Sequence, residues 1–370
     1  MGKTVGLAGA GSISFGTAAL LHESGHDPMI WSPSGTGPAD LAKRAPLQAT
    51  GAIETTLSPR VADGAAALAV NNDVLLIALP GYGHKSVLDA LAPHIEPRHH
   101  VIISSHVSLG AVYLMQLLSE RGVTVPITAW GTTICTARRQ SRTSVKVNTI
   151  RSRVDLCTVP EGRSAAALEM CQALFGDRFQ PRDGLLAISL SNLNPQNHMG
   201  IALGNITRME RAENWSQGQN VTPNVGRLLE QLDLERLSIA NALGLEVKTI
   251  FDHFHLSFHV PVASVSEMNQ QMHEQGNGGI GPATADSRYV TEDVPYGLVL
   301  TATLGRLAGR PAPLHEAGIR IFSAMYGRDF EDENEVLKTL DLGRRDLDEV
   351  KRAAKTGLMV RADVSEPSTS

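Results

Sequence analysis

Cysteine is scarce in this chain of 370 residues. Cys135, Cys157 and Cys171 lie far apart, and no two of them form a Cys-x-x-Cys pair. Dispersed cysteines are typical of small buried side chains in a protein that stays in a reducing compartment. The sequence therefore predicts a cytoplasmic protein whose three thiols pack as apolar groups.

Long apolar runs and clustered charges are also missing. No run of about 18 apolar residues occurs, so no membrane-spanning segment is expected, and no basic and apolar leader precedes the first predicted strand. The net charge of −5, without blocks of like charge, argues against a nucleic-acid platform and against an anionic membrane surface. A composition of 42% hydrophobic and 19% charged residues is typical of a globular enzyme, and the length favours two domains.

A glycine-rich turn close to the N-terminus is the strongest positive signal. The apolar run Thr4–Ala8 predicts a strand, and Thr17–His22 predicts a helix. Between them, Gly9 permits a tight turn, and Gly11 lets backbone N–H groups approach a pyrophosphate at the positive end of the helix. Ser14 stands where the fingerprint has its third glycine and is small enough for close packing. The segment predicts the start of a dinucleotide-binding βαβ unit.

The choice of dinucleotide depends on the end of the second predicted strand. NAD-selective folds place an acid there to bind the ribose 2′-hydroxyl, whereas this chain has Trp31 and Ser32. The missing carboxylate, the hydroxyls of Ser32 and Ser34 and the charge of Arg44 favour NADP(H) over NAD(H). The residues predicted to contact the cofactor are Gly9, Gly11, Ser12, Ile13, Ser32, Ser34, Arg44, Pro80 and His84.

The pattern of apolar residues changes along the chain. Runs such as Asp73–Pro80, which is almost wholly apolar, indicate parallel strands buried on both faces, and helical segments alternate with them. Segments with helical periodicity, such as Arg227–Leu237, dominate later. We expect an α/β protein with a doubly wound, Rossmann-type parallel sheet over residues 1–184. A mainly α-helical domain follows over 185–360, and 361–370 is expected to be a disordered tail.

Two polar segments in the helical half carry candidate catalytic groups. His198 carries an imidazole, the side chain most often used for proton transfer, although a structural, hydrogen-bonded histidine remains the alternative. Thr291 is predicted to be a helix N-cap, and the dipole of that helix would favour the carboxylate of Asp293 in its first turn. The guanidinium of Arg288 matches a substrate carboxylate, although plain capping would also explain acids at a helix start.

Three further histidines, His253, His255 and His259, lie close together in the sequence. On a helix only His255 and His259 share a face, and on a strand His259 lies too far from His255 for both to bind one ion. No well-placed cysteine joins them, so no metal site is predicted.

Two motifs, taken in order, make a resemblance specific. The segments Asn194-Pro195-x-x-His198 and Arg288-x-x-x-x-Asp293-Val294-Pro295-x-Gly297 follow the dinucleotide fingerprint, and the whole chain resembles the opine dehydrogenase family, the octopine and nopaline dehydrogenases. That family condenses an α-keto acid with the amino group of an amino acid and reduces the imine with NAD(P)H. Ser14 and the missing acid after the second strand depart from an NAD-type fingerprint.

The resemblance implies a role for each matching residue. His198 is the expected acid/base, Asp293 its partner, and Arg288 and Asn194 bind substrate. Because an imine hydrolyses, the reaction needs a site that excludes water, and the loop Gly276–Pro282 is predicted to move for that purpose. The expected partners are small-molecule substrates, with no nucleic acid and no membrane, and a homodimer is expected only because dimers are common.

Two rival functions remain open from the residues alone. A ketopantoate or glycerol-3-phosphate type of reductase shares the two-domain plan and, by analogy, would use a lysine of the helical domain, for which Lys248 is the candidate. A non-catalytic NADP-binding sensor would need the glycine fingerprint but none of the catalytic set.

Overall fold

The computed structural model describes residues 2–359 and divides them into two compact units. The first unit contains residues 2–79, 84–186 and 339–359, and the second contains residues 80–83 and 187–338. The predicted tail, 361–370, lies outside the described residues.

The first unit contains all of the strands that the structure describes. They are β1 (Thr4–Ala8), β2 (Asp27–Trp31), β3 (Leu47–Gly51), β4 (Thr55–Leu57), β5 (Arg60–Val61), β6 (Val74–Ile77), β7 (His100–Ile103), β8 (Ile127–Trp130), β9 (Cys135–Arg139), β10 (Ser144–Ile150), β11 (Val154–Val159) and β12 (Phe179–Pro181). The helices that accompany them are α1 (Ser12–Glu23), α2 (Ala39–Ala42), α3 (Ala65–Val70), α4 (His84–Leu91), α5 (Gly110–Ser119) and α6 (Ser164–Phe175).

An eight-stranded sheet has the order β12-β11-β8-β7-β6-β1-β2-β5 and is parallel except between β11 and β8. Its central strands β1, β6 and β7 are mostly apolar and mostly buried, because helices cover both faces. The chain runs from β1 towards β2 on one side and reaches β6 on the other, so the direction of winding reverses between β1 and β6. Ligands of such sheets bind at the carboxyl ends of the strands at this point. The predicted α/β fold is confirmed.

A second sheet, with the order β4-β3-β10-β9, covers helix α1. Helix and sheet approach closely at Gly16, where a Cβ would lie 2.9 Å from the Sγ of Cys135. The sequence predicts only part of β10 in this sheet. The sequence does not predict the other strands of this sheet, because they are short or half exposed. In addition, β3 pairs with β10, which lies far along the chain.

The C-terminal segment corrects the predicted domain limits. The sequence assigns residues 185–360 to the helical domain, but 339–359 belong to the first unit. Helix α16 (Leu347–Thr356) contacts β11, and Nζ of Lys355 lies 2.7 Å from Oδ1 of Asp183. The apolar side of α16 is buried there, which local periodicity cannot assign to one domain or the other. The predicted boundary after residue 184 falls inside helix α7 (Gly184–Ser191), close to the observed division at Leu186.

Helices make up most of the second unit. They are the end of α7, then α8 (Asn194–Glu210), α9 (Pro223–Ala242), α10 (Ile250–Phe258), α11 (Val265–Glu274), α12 (Arg288–Thr291), a π-helical turn (Val294–Leu298), α13 (Val299–Leu307), α14 (Pro313–Tyr326) and most of α15 (Glu335–Thr339). Small residues allow close packing, since a Cβ at Gly200 of α8 would lie 2.5 Å from Leu229 of α9. Across residues 2–359, no helix has both the length and the apolar character needed to cross a membrane.

Candidate active site

The glycine turn of the first unit has a backbone that only glycine tolerates. Gly9 adopts a φ of +136°, and a Cβ there would lie 2.4 Å from the carbonyl oxygen of Ala78. Its N–H donates to the carbonyl oxygen of Trp31 over 2.7 Å. The turn is therefore fixed against the ends of β2 and β6, at the point where the direction of winding reverses.

Helix α1 begins directly after this turn and leaves space above its first residues. Gly11 precedes it in an extended conformation, and a Cβ added there meets no atom within 4 Å. The N–H groups of Ser12 and Ile13 have no acceptor within the helix, as in the first turn of any α-helix. The hydroxyl of Ser14 donates to the Gly9 carbonyl over 2.7 Å, so this serine braces the turn. Open space and N–H donors at a helix N-terminus fit the pyrophosphate of NAD(P).

Arg139, at the end of β9, is a component of this turn that sequence reasoning missed. Its Nη1 donates to the carbonyl oxygen of Ala10 and its backbone N–H to the hydroxyl of Ser12, each over 3.1 Å. The guanidinium also lies 4.6 Å from the ring centroid of Phe15. No local pattern connects an arginine in a short strand with a turn at the opposite end of the domain sequence.

A chain of hydroxyl groups follows β2. The Ser32 and Ser34 hydroxyls lie 3.3 Å apart, and those of Ser34 and Thr36 lie 3.1 Å apart. Arg44 follows α2 with a φ of 67° and an exposed side chain. The roles predicted for Ser32, Ser34 and Arg44 in cofactor binding stay predictions.

Two predicted cofactor residues follow β6. Pro80 clusters with the second unit. His84 is buried, its Nε2 lies 3.0 Å from the Leu79 carbonyl oxygen, and burial lowers its pKa to about 4. A neutral, buried imidazole is a core side chain of α4, and its contact with a cofactor stays a prediction.

The second unit brings His198 and Asp293 together. Nδ1 of His198, on α8, lies 2.8 Å from Oδ2 of Asp293, and the two side chains are 20% and 19% exposed. When the imidazole is neutral, an Nδ1–H that donates to the carboxylate leaves the lone pair on Nε2. The pair can thus accept a proton at one defined atom and stabilise the resulting imidazolium.

Tyr289 covers one face of this imidazole. The two rings are stacked with centroids 3.6 Å apart and an angle of 9° between their planes. The tyrosine hydroxyl donates to Oε1 of Gln217, which anchors its outer end. The stack restricts rotation of the His198 ring. No sequence pattern predicts this contact between Tyr289 and His198.

Arg288 lies next to Tyr289 and is paired with a buried carboxylate. Its Nε donates to Oε2 of Glu292, and the other oxygen of Glu292 accepts the N–H of Gly81 over 3.0 Å. The Arg288 side chain is 66% exposed. Because the contact with Glu292 uses Nε, the two terminal nitrogens are left for a planar anion.

The predicted N-cap at Thr291 is wrong. Ser287 is the N-cap, because its hydroxyl accepts the N–H of Tyr289, and Thr291 is the last residue of α12 with its hydroxyl donated to the Ser287 carbonyl. Asp293 stands instead just before the π-helical turn. Several neighbouring polar residues can cap a short helix, and tertiary contacts choose among them.

A buried polar network fixes the start of α8. Nε2 of Gln196 donates to Asp233 over 2.8 Å, and Asp233 pairs with Arg236 over 2.7 Å, with both charged side chains only 2% exposed. The N–H of Ile250 donates to the second oxygen of Asp233. This network holds the turn of α8 that carries His198.

Three other predicted residues play lesser parts in the structure. Asn194 is the first residue of α8 and is exposed, so its contact with substrate stays a prediction. Lys248 is also exposed, with its carbonyl accepting a hydrogen bond from Arg236. His255, on α10, bonds through Nδ1 to the Val260 carbonyl. Nowhere in the described chain do three His, Cys, Asp or Glu side chains form a metal site.

The loop Gly276–Pro282 is tied to the segment that carries Gln217. The N–H of Gln217 donates to Gly279, that of Gly281 to Trp215, and the indole Nε1 of Trp215 donates to Pro282 over 3.0 Å. The loop therefore connects to Tyr289 through Gln217. The predicted movement of this loop stays a prediction.

Two family models match different parts of the chain, one mostly in the first unit and one mostly in the second. Residues 181–326 match the model of the NAD/NADP octopine/nopaline dehydrogenase, alpha-helical domain. Residues 5–153 match the model of ketopantoate reductase PanE/ApbA, which covers only the nucleotide-binding part. His198, Arg288 and Asp293 lie within the first match.

Individual relatives extend over nearly the whole chain. An opine dehydrogenase from Arthrobacter sp. (strain 1C) is 29% identical over 92% of this chain and 95% of its own length. A structure of octopine dehydrogenase with NADH and L-arginine superposes with a TM-score of 0.79 at 16% identity, covering 95% of this chain and 98% of the other. Yersinopine dehydrogenase with NADP+ gives 0.68 at 15% identity, covering 96% and 98%. At these identities the structures establish the fold. The shared fold, the match of the helical domain and the full-length relative together show that this chain is similar to the opine dehydrogenases.

Proposed function

We propose that this protein condenses an α-keto acid with the amino group of an amino acid, reduces the imine to a secondary amine with NAD(P)H, and catalyses the reverse oxidation. The observation that carries the proposal is the His198–Asp293 pair beside the exposed guanidinium of Arg288. An acid/base with a fixed tautomer and a clamp for a carboxylate are the two protein groups that this reaction requires.

Each of these groups has a defined task. The terminal nitrogens of Arg288 bind the carboxylate of the keto acid, which fixes the orientation of its reactive carbon. Nε2 of His198 takes a proton from the ammonium group of the amino acid, so that the free amine can attack, and later returns a proton to the departing oxygen. When bound, the dinucleotide supplies the hydride that reduces the imine carbon.

The neighbouring carboxylates of Glu292 and Asp293 have different roles. Glu292 bonds to Gly81 and Arg288, so both of its oxygens are engaged in holding the clamp. Asp293 is hydrogen-bonded to the imidazole of His198 and stabilises the positive charge that His198 acquires. Adjacent carboxylates thus serve different partners.

The ligands of relatives support the same class of substrates. Octopine dehydrogenase has been solved with NADH and L-arginine and with pyruvate. For this chain we propose an α-keto acid of the pyruvate or 2-oxoglutarate type and an L-amino acid. We further propose NADP(H) as the preferred cofactor, because no acid follows β2 and a chain of hydroxyls takes its place.

The proposal is tested by following oxidation of NADPH and of NADH with pyruvate or 2-oxoglutarate and a panel of L-amino acids. Formation of the secondary amine, detected by mass spectrometry, is expected for at least one pair of substrates. Reduction of a keto acid in the absence of any amine would instead favour the rival reductase. The variant Lys248→Ala separates the two, since its loss of activity is expected only for that rival. Cofactor binding without turnover on any pair would favour the sensor.

Two further expectations accompany this function. Cys135, Cys157 and Cys171 are unpaired and buried, and burial raises the pKa of Cys135 to about 11, which fits a protein that acts in the cytoplasm. A homodimer remains a prediction, which sedimentation equilibrium of the purified protein would test.

A further inference from the structure

An open pocket of about 500 Å³ lies beside the hydroxyl chain that follows β2. It is lined by Thr36, Gly37, Arg139, Gln140, Ser141 and Arg142. Four of these residues come from the end of β9 and the turn to β10, so the second sheet supplies one wall. This wall joins parts of the chain that lie far apart in sequence.

The two arginines of this wall differ in how their donors are used. Arg139 gives its side-chain N–H groups to the carbonyl oxygens of Ala10, Gly37, Ser141 and Arg142. Arg142 is 72% exposed, and its Nε lies 3.7 Å from Oδ2 of Asp40, a loose ion pair. Arg139 is therefore structural, whereas the Arg142 guanidinium can turn towards an anion.

The position of the pocket specifies which anion fits. In doubly wound sheets the adenosine ribose of a dinucleotide lies at the carboxyl end of the second strand, and its 2′ substituent is read by the residues that follow. Here those residues are Ser32, Ser34 and Thr36, whose hydroxyls can donate to phosphate oxygens. Arg142 lines the same pocket as Thr36 and adds a positive charge there, and a guanidinium group binds phosphate well.

We propose that Arg142, together with the hydroxyl of Thr36, to which Ser34 is hydrogen-bonded, binds the 2′-phosphate of NADP(H). Arg142 takes the part that the sequence assigned to Arg44, which is not among the residues that line the pocket. Asp40 holds the Arg142 guanidinium when no phosphate is present and competes with the phosphate for it. This inference rests on the proposed preference for NADP(H).

The test measures binding to the intact protein by calorimetry, with 2′,5′-ADP and 5′-AMP as probes. These fragments differ only in the 2′-phosphate, and their binding does not depend on opine synthesis. Arg142→Ala is expected to raise the dissociation constant of 2′,5′-ADP by about tenfold to hundredfold. The dissociation constant of 5′-AMP should change by less than about twofold. Asp40→Asn is expected to lower the dissociation constant of 2′,5′-ADP by about a few-fold, because it removes one weak, exposed ion pair that competes for Arg142.

Arg138→Ala is the matched control. Arg138 precedes Arg139 on β9 and stands opposite Lys146 of β10, so its side chain projects from the other face of the sheet. It should leave both fragments unchanged. An equal loss of 5′-AMP and 2′,5′-ADP in Arg142→Ala, or no loss of either, overturns the assignment of Arg142.

Steady-state kinetics distinguishes this inference from the proposed reaction. If the enzyme makes a secondary amine, the ratio of kcat/KM for NADPH to that for NADH should fall by the same factor in Arg142→Ala. Amine synthesis that is equally efficient with NADH and NADPH in the wild type would overturn the phosphate site while leaving the opine reaction intact. Specific 2′,5′-ADP binding without amine synthesis would have the opposite meaning, supporting the site and contradicting the reaction.

Discussion

Nδ1 of His198 lies 2.8 Å from Oδ2 of Asp293, although α8 and the turn after α12 are far apart in the sequence. The contact selects one tautomer of the imidazole and fixes the direction of Nε2. A lone histidine and a lone acid, each with an unremarkable local explanation, become a proton-transfer unit through this contact.

Asp293→Asn and His198→Ala should each lower kcat by about a hundredfold to ten-thousandfold, the usual range for loss of general acid–base catalysis. Asparagine can donate to Nδ1, which would place the proton on Nε2 and remove the base. The dissociation constant of NADP(H), measured by calorimetry, should change by less than about twofold in both variants. Equal losses of turnover and of cofactor affinity would contradict the roles assigned to this pair.

Tyr289→Leu should lower kcat by about tenfold, because a stacked aromatic pair contributes about 0.5–1.5 kcal/mol to the placement of the ring. The KM for the keto acid should not change, since the substrate clamp is intact. Tyr289→Phe is the matched control, because it keeps the stack on His198 and loses only the hydroxyl bond to Gln217. If the phenylalanine variant is as impaired as the leucine variant, the hydroxyl rather than the stack positions His198.

Glu292→Gln should raise the KM for the keto acid by about fivefold while kcat changes little, because a charged hydrogen bond to the Arg288 clamp is lost. The glutamine oxygen can still accept the N–H of Gly81. Glu331→Gln, which removes an exposed carboxylate paired with Arg306, provides a control with the same chemistry. A fall in kcat with unchanged KM would show that Glu292 acts on the chemical step instead.

Asp233→Ala should lower the free energy of unfolding of the second unit by about 3–5 kcal/mol, because it leaves the buried guanidinium of Arg236 without its counter-ion. Asp332→Ala removes an exposed ion pair with Lys338 and should cost less than about 1 kcal/mol. Urea denaturation followed by circular dichroism gives both values. Equal effects would contradict the stabilising role of the buried network.

Acid should destabilise the first unit through its buried histidines. Burial lowers the pKa of His100 from 6.5 to about 4, so the unfolded chain takes up a proton before the folded one does. The stability is fully present above pH 6.5 and is lost as the pH falls towards 4. For His100 alone, the loss between pH 7 and pH 5 is about 2 kcal/mol.

His100→Gln should therefore flatten the dependence of the unfolding free energy on pH by about that amount, since glutamine can keep a polar contact with Thr128. His84, with a pKa of about 4, and His106, with a pKa of about 3, keep their share in this variant. Urea midpoints measured from pH 7 to pH 5 check the change in slope. His22→Gln, at an exposed position, is the control, and an equal flattening in that variant would contradict the assignment to His100.

The local sequence was sufficient to predict the start of the first βαβ unit. The turn at Gly9 demands a positive φ, and helix α1 follows it directly, so the chemistry of neighbouring residues decides the conformation. Arg139 could not be found in this way, because its contacts with Ala10 and Ser12 depend on the pairing of β9 with β10 and on the packing of that sheet against α1. The capping residue of α12 was misassigned for a related reason, since Ser287 and Thr291 are equally good caps until the fold chooses one.

The sequence by itself determined the class of the fold, the glycine turn and the identities of the candidate acid/base, its acid and its clamp. These features depend on periodicity, on single backbone conformations or on residue types at motif positions, all of which are local. Only the tertiary structure decided that His198 meets Asp293, that Tyr289 stacks on it and that Arg142 rather than Arg44 lines the pocket after β2. Contacts between distant segments depend on how helices and sheets pack, and no local pattern of residues contains that information.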